Sequence, residues 1–252
     1  MLNENMKGTS DMIKVTVFNE GYHDLTEDKV KEIYPCGIHG QIKSFLEDDE
    51  VKVRTVTLYD NNLNLVPDCI TKEILDDTDV IMWWGHMKHK EVPDEVAEMV
   101  CDYVRRGMGA IFLHSGHHAK PFKKLMGTSC NLKWRDGVKE RLWNINPAHP
   151  IMQGIGEYFD IPEEEMYGER YDIPTPDDLL MLGAYSTHEV FRSLCVWQRG
   201  YGKIVYFQPG HETNPTYHIP EVQTIIKNAV RWAMPLYRVD EIPCPHYPEI
   251  EL

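Results

Sequence analysis

The sequence predicts an α/β fold, a three-layer sandwich built on a mainly parallel central sheet, and three observations predict it. Short apolar, β-branched runs alternate with segments of helical periodicity from Ile13 to Met126, and strand-like runs return after Asp178. At 252 residues and 42% hydrophobic composition, the chain can bury one sizeable core. Strands separated by helices imply βαβ units with right-handed crossovers, which set helices on both faces of a parallel sheet.

Residues 1–12 are polar and are expected to be a flexible N-terminus, followed by a single domain over 13–235 and a tail over 236–252. The first strand is "IKVTVF"; "EDKVKEIY" and "GIHGQIKSFLED" are helical; "VKVRTVTL" is the second strand. A short helix from Pro67 to Leu75 and the strand "DVIMWW" come next, then the helix "PDEVAEMVCDYVRRG". In that helix Pro93 suits the first turn, Val96, Met99, Val100, Tyr103 and Val104 make one apolar stripe, and Gly107 stops it. The strand "GAIFLH" leads into a helical run, Lys120 to Met126. Between Thr128 and Asp178 the rhythm breaks, and a segment this long without periodicity reads as a functional insertion. Its apolar residues, among them Leu132, Trp143, Ile151 and Phe159, predict that it folds over the sheet edge as a pocket wall. "LLMLGA", "SLCVWQ" and "GKIVYFQ" read as a return to the parallel sheet, closed by the helix "PEVQTIIKNAVRWAM".

A formal charge of −14, with no compensating basic stripe, opposes binding to nucleic acid or to an anionic membrane surface. No apolar run reaches the roughly 20 residues that a membrane-spanning helix needs. The six cysteines are scattered without a CxxC pair and nothing at the start reads as a signal peptide, so free thiols in a cytoplasmic protein are expected. The sequence is compatible with a homo-oligomer.

In an open parallel sheet the loops after the strand C-termini gather along one edge. Asn19, Glu20 and His23 follow the first strand; His86 and His89 follow "VIMWW"; His114 and His117 follow "GAIFL"; His211 and Glu212 follow "KIVYFQ". His39, opening the helix "GIHGQIKSFL", can face the same edge. A lone histidine after a strand is more often a capping or hydrogen-bonding residue, but independent surface histidines need not choose one edge. A divalent transition metal, Zn²⁺ in particular, is the natural occupant of a shared histidine pocket, because neutral imidazole is a good ligand and three protein ligands leave a position open. None of the contiguous zinc signatures is present.

The stretch "GAIFLHSGHHAKPFKKLMG" resembles the strand–turn–helix elbow of class I glutamine amidotransferases, and "FQPGHE" resembles their later Phe-His-Pro-Glu segment. Aligned so, His114 falls where the nucleophilic cysteine would stand, and without that thiol the glutaminase chemistry loses its nucleophile. Ser115, one position later, would need His211 and Glu212 as partners for a hydrolase. Across most of the chain, "VFNEGYHD", "WWGHMKHKEV", "LKWRD", "ERLWNINPAHPIMQGI", "EEEMYGERYDIP", "EVFRSLC" and "GKIVYFQPGHETNPTYH" resemble the ThuA family of trehalose-utilisation proteins. That resemblance implies a flavodoxin-like, amidotransferase-like sandwich lacking the Cys-His-Glu triad, a role in carbohydrate metabolism, and a small-molecule sugar as partner. It also implies work on oxidised disaccharides such as 3-keto sugars.

A keto group acidifies the neighbouring C–H, so a Lewis acid on the carbonyl and a nearby base suffice for isomerisation or elimination. The expected metal ligands are His86, His114 and His211, with His23 and His39 as alternates, and the expected bases are Glu20, His117 and Glu212. Trp134 can stack on a pyranose face, while Arg135, Glu165, Tyr167 and Glu169 can bond its rim. Trp83 and Trp84 stand on opposite faces of their strand, so at least one is core. The competing reading is a non-catalytic sugar-binding or regulatory protein on the same scaffold.

Overall fold

Consecutive β-branched and apolar residues form strands that are buried on both faces, and such strands need helices above and below them. The computed structural model describes residues 12–246, so the expected flexible residues 1–11 and the end of the tail, 247–252, lie outside the described residues. The first half of the chain runs β1 (Ile13–Asn19), α1 (Tyr22–Thr26), α2 (Asp28–Ile33), α3 (Gly37–Leu46), β2 (Val51–Thr57), α4 (Lys72–Asp76), β3 (Val80–Trp84), α5 (Asp94–Arg105), β4 (Gly109–Leu113) and α6 (Lys120–Met126). Then come β5 (Lys133–Asn144), β6 (Tyr158–Gly168), β7 (Asp178–Tyr185), β8 (Val190–Arg199), β9 (Gly202–Phe207) and α7 (Pro220–Ala233).

The described residues form a nine-stranded sheet in the order β2-β1-β3-β4-β9-β8-β7-β5-β6. Helices cover both faces. Val80, Met82 and Trp84 point into the core beneath α3 and α7, and Ile81 and Trp83 into the core beneath α5 and α6. Trp83 and Trp84 are thus both core residues, one on each face, and Trp83 stacks on Phe18.

The expectation of a mainly parallel sheet needs correction. Strands β2, β1, β3, β4 and β9 pair in parallel, but every pairing from β9 outward through β8, β7, β5 and β6 is antiparallel, so the sheet is mixed. The physical reason lies in the connections. Only Gly200 and Tyr201 separate β8 from β9, and no crossover helix fits into two residues. Gly200 takes φ +60°, a left-handed turn conformation suited to a hairpin. Apolar alternation alone carries no strand direction, which is why these runs read as parallel.

The insertion is not irregular either. It forms the long hairpin β5–β6 at the sheet edge, and its weak periodicity comes from register shifts between Arg135 and Val138 and again between Val138 and Glu140. Such bulges bend and twist the strand that carries them. Among the described residues no helix is long and apolar enough to cross a membrane.

Gly202 shows how tightly the parallel half packs: a Cβ there would lie 2.0 Å from the Val104 carbonyl oxygen and 2.8 Å from that of Met108. Backbone cannot swing aside as a flexible side chain does. Gly202→Ala is expected to destabilise the protein by about 1–3 kcal/mol, read from the urea unfolding midpoint; an unchanged midpoint would contradict this packing.

Candidate active site

The site begins where β4 ends. His114 takes φ +50°, a conformation that non-glycine residues rarely adopt, and it is fully buried. Two hydrogen bonds hold it: Nδ1–H donates to the Gln208 carbonyl at 3.0 Å, and the Tyr206 hydroxyl donates to the His114 carbonyl at 3.1 Å. A carbonyl oxygen can only accept, so the hydrogen sits on Nδ1 and Nε2 is left to face the site. Nε2 lies 3.1 Å from Glu165 Oε2 and 3.4 Å from the Tyr167 hydroxyl, with the Tyr167 ring stacked on the imidazole.

His86, just past β3, and His211, past β9, complete the group. The ring centres lie 6.0 Å apart for His86 and His114, 5.2 Å for His86 and His211, and 5.4 Å for His114 and His211. One donor atom from each of His86, His114, Glu165 and His211 falls within 4.8 Å of all the others. His23, His86 and Glu212 form a second such group, sharing His86. His86 Nδ1 is 3.0 Å from Glu212 Oε1 yet makes no aligned hydrogen bond, and Glu165 Oε2 and Glu212 Oε2 are buried without one. His211 Nδ1 lies 2.9 Å from the Thr213 hydroxyl and also meets the Thr213 amide at 3.3 Å.

Electrostatics in this group is mutual. Burial opposes charge on His114, but the close carboxylate of Glu165, with Glu164 and Glu212 behind, raises its pKa above the ordinary imidazole value. Burial likewise opposes ionisation of Glu165, and His114 outweighs it, so that carboxyl sits below its usual range. Glu212 is also desolvated, yet His86, His211 and His114 hold it at about 2. His117 differs: burial, then the charge of His118, push it well below the ordinary value. Its Nδ1–H donates to the Cys130 carbonyl at 2.8 Å, which fixes a neutral ring with its lone pair on Nε2.

A cavity of about 460 Å³ opens over this cluster, with His86, His114's neighbour Ser115, His117, Glu165, Tyr167 and His211 among its walls. Trp134 stands at its rim, 64% exposed. Met87, His89, His118, Asn131, Leu132 and Asp136, none of them singled out as substrate contacts in the sequence, line it too. A smaller cavity of about 220 Å³ meets the first at Asp136, Glu165 and His211.

Other expected site residues lie elsewhere. Glu20 accepts the Met87 amide at 2.9 Å and does not line the cavity; it holds the turn that carries His86, and burial raises its pKa. His39 contacts Asn19 at 3.0 Å and joins neither donor group. His23 belongs to the second group, with Nδ1 engaged by Glu27. Arg135 pairs with Glu189 at 2.8 Å, because the pleat turns it away from the face that Trp134 presents. Glu169 is clamped by Arg192 at 2.8 and 3.0 Å and by the Tyr171 amide, so it fixes backbone instead of lining the cavity. Ser115 bonds the Tyr167 hydroxyl at 2.7 Å, not an imidazole, so no Ser-His-Glu relay is assembled.

Sequence reasoning missed Glu164. Its buried carboxylate accepts four hydrogen bonds, from the amides of Glu165, Gly210 and His211 and from the Thr216 hydroxyl. The available signal was three consecutive glutamates, 163–165, in a strand whose pleat must turn at least one of them inward.

The family model described as "ThuA: Trehalose utilisation" matches residues 14–233. The chain belongs to the ThuA family. A carbohydrate-related role comes with that membership. The fold is similar to that of a ThuA-like protein from Parabacteroides merdae, at TM-score 0.67 and 15% identity over 92% of this chain and 94% of that one. It is similar also to a ThuA-like protein from Bacteroides uniformis (0.65, 15%, 90% and 93%) and a cytoplasmic protein from Salmonella typhimurium (0.59, 13%, 88% and 100%). The sequence matches no curated protein.

Two outcomes follow from this ThuA site. Glu164→Leu leaves three amides and a hydroxyl without this acceptor, and is expected to cost about 3–5 kcal/mol in urea unfolding and to speed hydrogen exchange at Gly210 and His211; unchanged exchange would remove the anchoring role. No thiol lines the cavity, and burial lifts Cys101 and Cys130 to about 11 and Cys195 to about 12. Native iodoacetamide should therefore label the exposed Cys36 and Cys244 and spare those three, as mass spectrometry of the tryptic peptides would report.

Proposed function

We propose that this ThuA protein is a metal-assisted enzyme acting on an oxidised, 3-keto disaccharide or a related sugar. The observation that carries the reading is the meeting of four donor atoms, from His86, His114, Glu165 and His211, within 4.8 Å at a cavity wall. Three imidazoles and a carboxylate are the donor set that Zn²⁺ prefers, and the buried, unbonded Glu165 Oε2 suits a cation. The Gln208 carbonyl on His114 Nδ1 sets the tautomer that such a ligand requires. When bound, a divalent ion supplies a Lewis acid for a sugar carbonyl.

The chain's own residues account for the rest. Trp134, exposed at the rim, offers a flat apolar face to a pyranose ring. Two cavities meeting at Glu165 and His211 suit the two rings of a disaccharide. His117, kept neutral by burial, is the base best fitted to take a proton from the carbon beside a keto group, since its lone pair stays available at neutral pH. Tyr167, whose hydroxyl lies between Ser115 and His114, can donate to a substrate oxygen. Glu212, enclosed by His86 and His211, orients those rings.

One observation favours a second reading, a non-catalytic sugar-binding protein. His114 and Glu165 drive each other toward their charged forms and so compensate one another without an ion.

Plasma emission analysis separates the two. About one transition-metal ion per chain is expected, with His211→Ala and Glu165→Gln each lowering metal affinity at least about 10-fold. His117→Gln should leave metal content unchanged and reduce turnover of a 3-keto disaccharide by about 100-fold or more. Metal-free protein with full activity would remove the metal, and sugar binding without turnover would leave the second reading.

A further inference from the structure

Beside the histidine cavity lies another of about 620 Å³ whose lining has the opposite character from the protein as a whole. The chain has 40 acidic and 26 basic residues, yet this wall holds Lys90, Lys120, Lys123 and Lys124 and no acid. The two cavities are continuous through His86, Met87, His89 and His118. Two of the lysines are fixed in place: Lys120 Nζ donates to the Val92 carbonyl at 2.6 Å and pairs with Asp94 at 2.8 Å, and Lys124 pairs with Glu98. Lys90 and Lys123 have no acidic partner among the described residues. The charge of Lys123 acts on the imidazoles of both His89 and His118, whose rings lie 6.2 Å apart at the junction of the cavities. His89 Nδ1 lies 3.5 Å from Glu20 Oε1, and its Nε2 is buried at the junction without a hydrogen-bond partner.

We infer that this basic cavity binds a compact oxyanion, a phosphate or a carboxylate, carried by the sugar whose ring occupies the histidine cavity. The inference rests on the sugar-directed reading above and narrows its substrate class from neutral to anionic sugars. Ammonium groups held in a cleft focus positive potential, and a bound oxyanion relieves the repulsion among them. Lysine serves such groups as a point charge, and Lys90 and Lys123, without acidic partners among the described residues, are the ammonium groups available to an oxyanion. Because Lys90 and Lys124 are exposed, salt weakens the attraction.

The test is calorimetry on metal-loaded, full-length protein at low ionic strength with inorganic phosphate, trehalose, a trehalose monophosphate, and a disaccharide carrying one glucuronic acid. At least one anionic sugar is expected to bind at least about 10-fold more tightly than trehalose, and the better of the two identifies the anion. In the Lys90→Gln/Lys123→Gln double variant that advantage should vanish, while metal content, unfolding midpoint and trehalose binding stay unchanged. Anionic sugars no tighter than trehalose, or an advantage that survives in the double variant, would overturn the inference. Phosphate binding that depends on Lys90 and Lys123, with no sugar bound at all, would keep the anion site and remove the sugar reading. Binding of neither phosphate nor an anionic sugar removes the anion site whatever the metal content.

Discussion

The carboxylate of Glu164 joins the two halves of this molecule. Strand β6 is last in the hydrogen-bonded order, four places from β9, yet Glu164 on β6 accepts the Gly210 and His211 amides and the Thr216 hydroxyl from the loop that follows β9. The antiparallel half must therefore curl back over the edge of the parallel half. Bulges in β5 supply the bend, and Gly137, at φ +51° between the shifted registers, allows it. Without the curl, Glu165 and Tyr167 would not reach the residues that follow β4.

Much of the site's order is inherited from that closure. The 208–216 loop is held from one side by Glu164 and from the other by Trp84, whose indole N–H donates to the Gly210 carbonyl at 3.1 Å, and by the Tyr34 hydroxyl on the Asn214 carbonyl. Fixing that loop fixes the Gln208 carbonyl, hence the tautomer of His114, and it sets His211 and Glu212 against His86. Each imidazole is then oriented by backbone or carboxylate, which is the support that a preorganised ligand or catalytic group needs. Desolvation would neutralise these groups singly. Together His114, Glu165 and Glu212 are held charged by their neighbours, whereas burial and the charge of other histidines push His211 and His117 toward the neutral form.

Charge is distributed unevenly over the protein, and the unevenness coincides with the cavities. Paired acids such as Asp94 and Glu98 hold the amines of lysines in the α6 segment in position, and no acidic side chain lines that cavity itself. A strongly negative chain thus presents one locally positive approach to a cluster of imidazoles and carboxylates, a difference in potential that orients any charged ligand before it arrives.

By itself the sequence determined the parallel half and the edge at which the histidines gather. The runs "IKVTVF", "DVIMWW" and "GAIFL" are strands because β-branched and apolar residues fill both faces, and parallel strands bring the residues after them to one edge, which is why His86, His114 and His211 were legible as neighbours. Only the tertiary structure decided the rest. Alternation carries no direction, so the antiparallel pairing of β7, β8 and the β5–β6 hairpin was invisible, and with it the curl that turns Glu165 toward the histidines. The pleat, whose phase depends on those bulges, put Trp134 at the rim and Arg135 on Glu189; the fold of the turn after β6 gave Glu169 to Arg192; and the backbone of residues 86–88 took Glu20. A buried polar residue goes to whichever unsatisfied group the fold brings within reach, and that is a property of three-dimensional neighbours, which spacing along the chain does not encode.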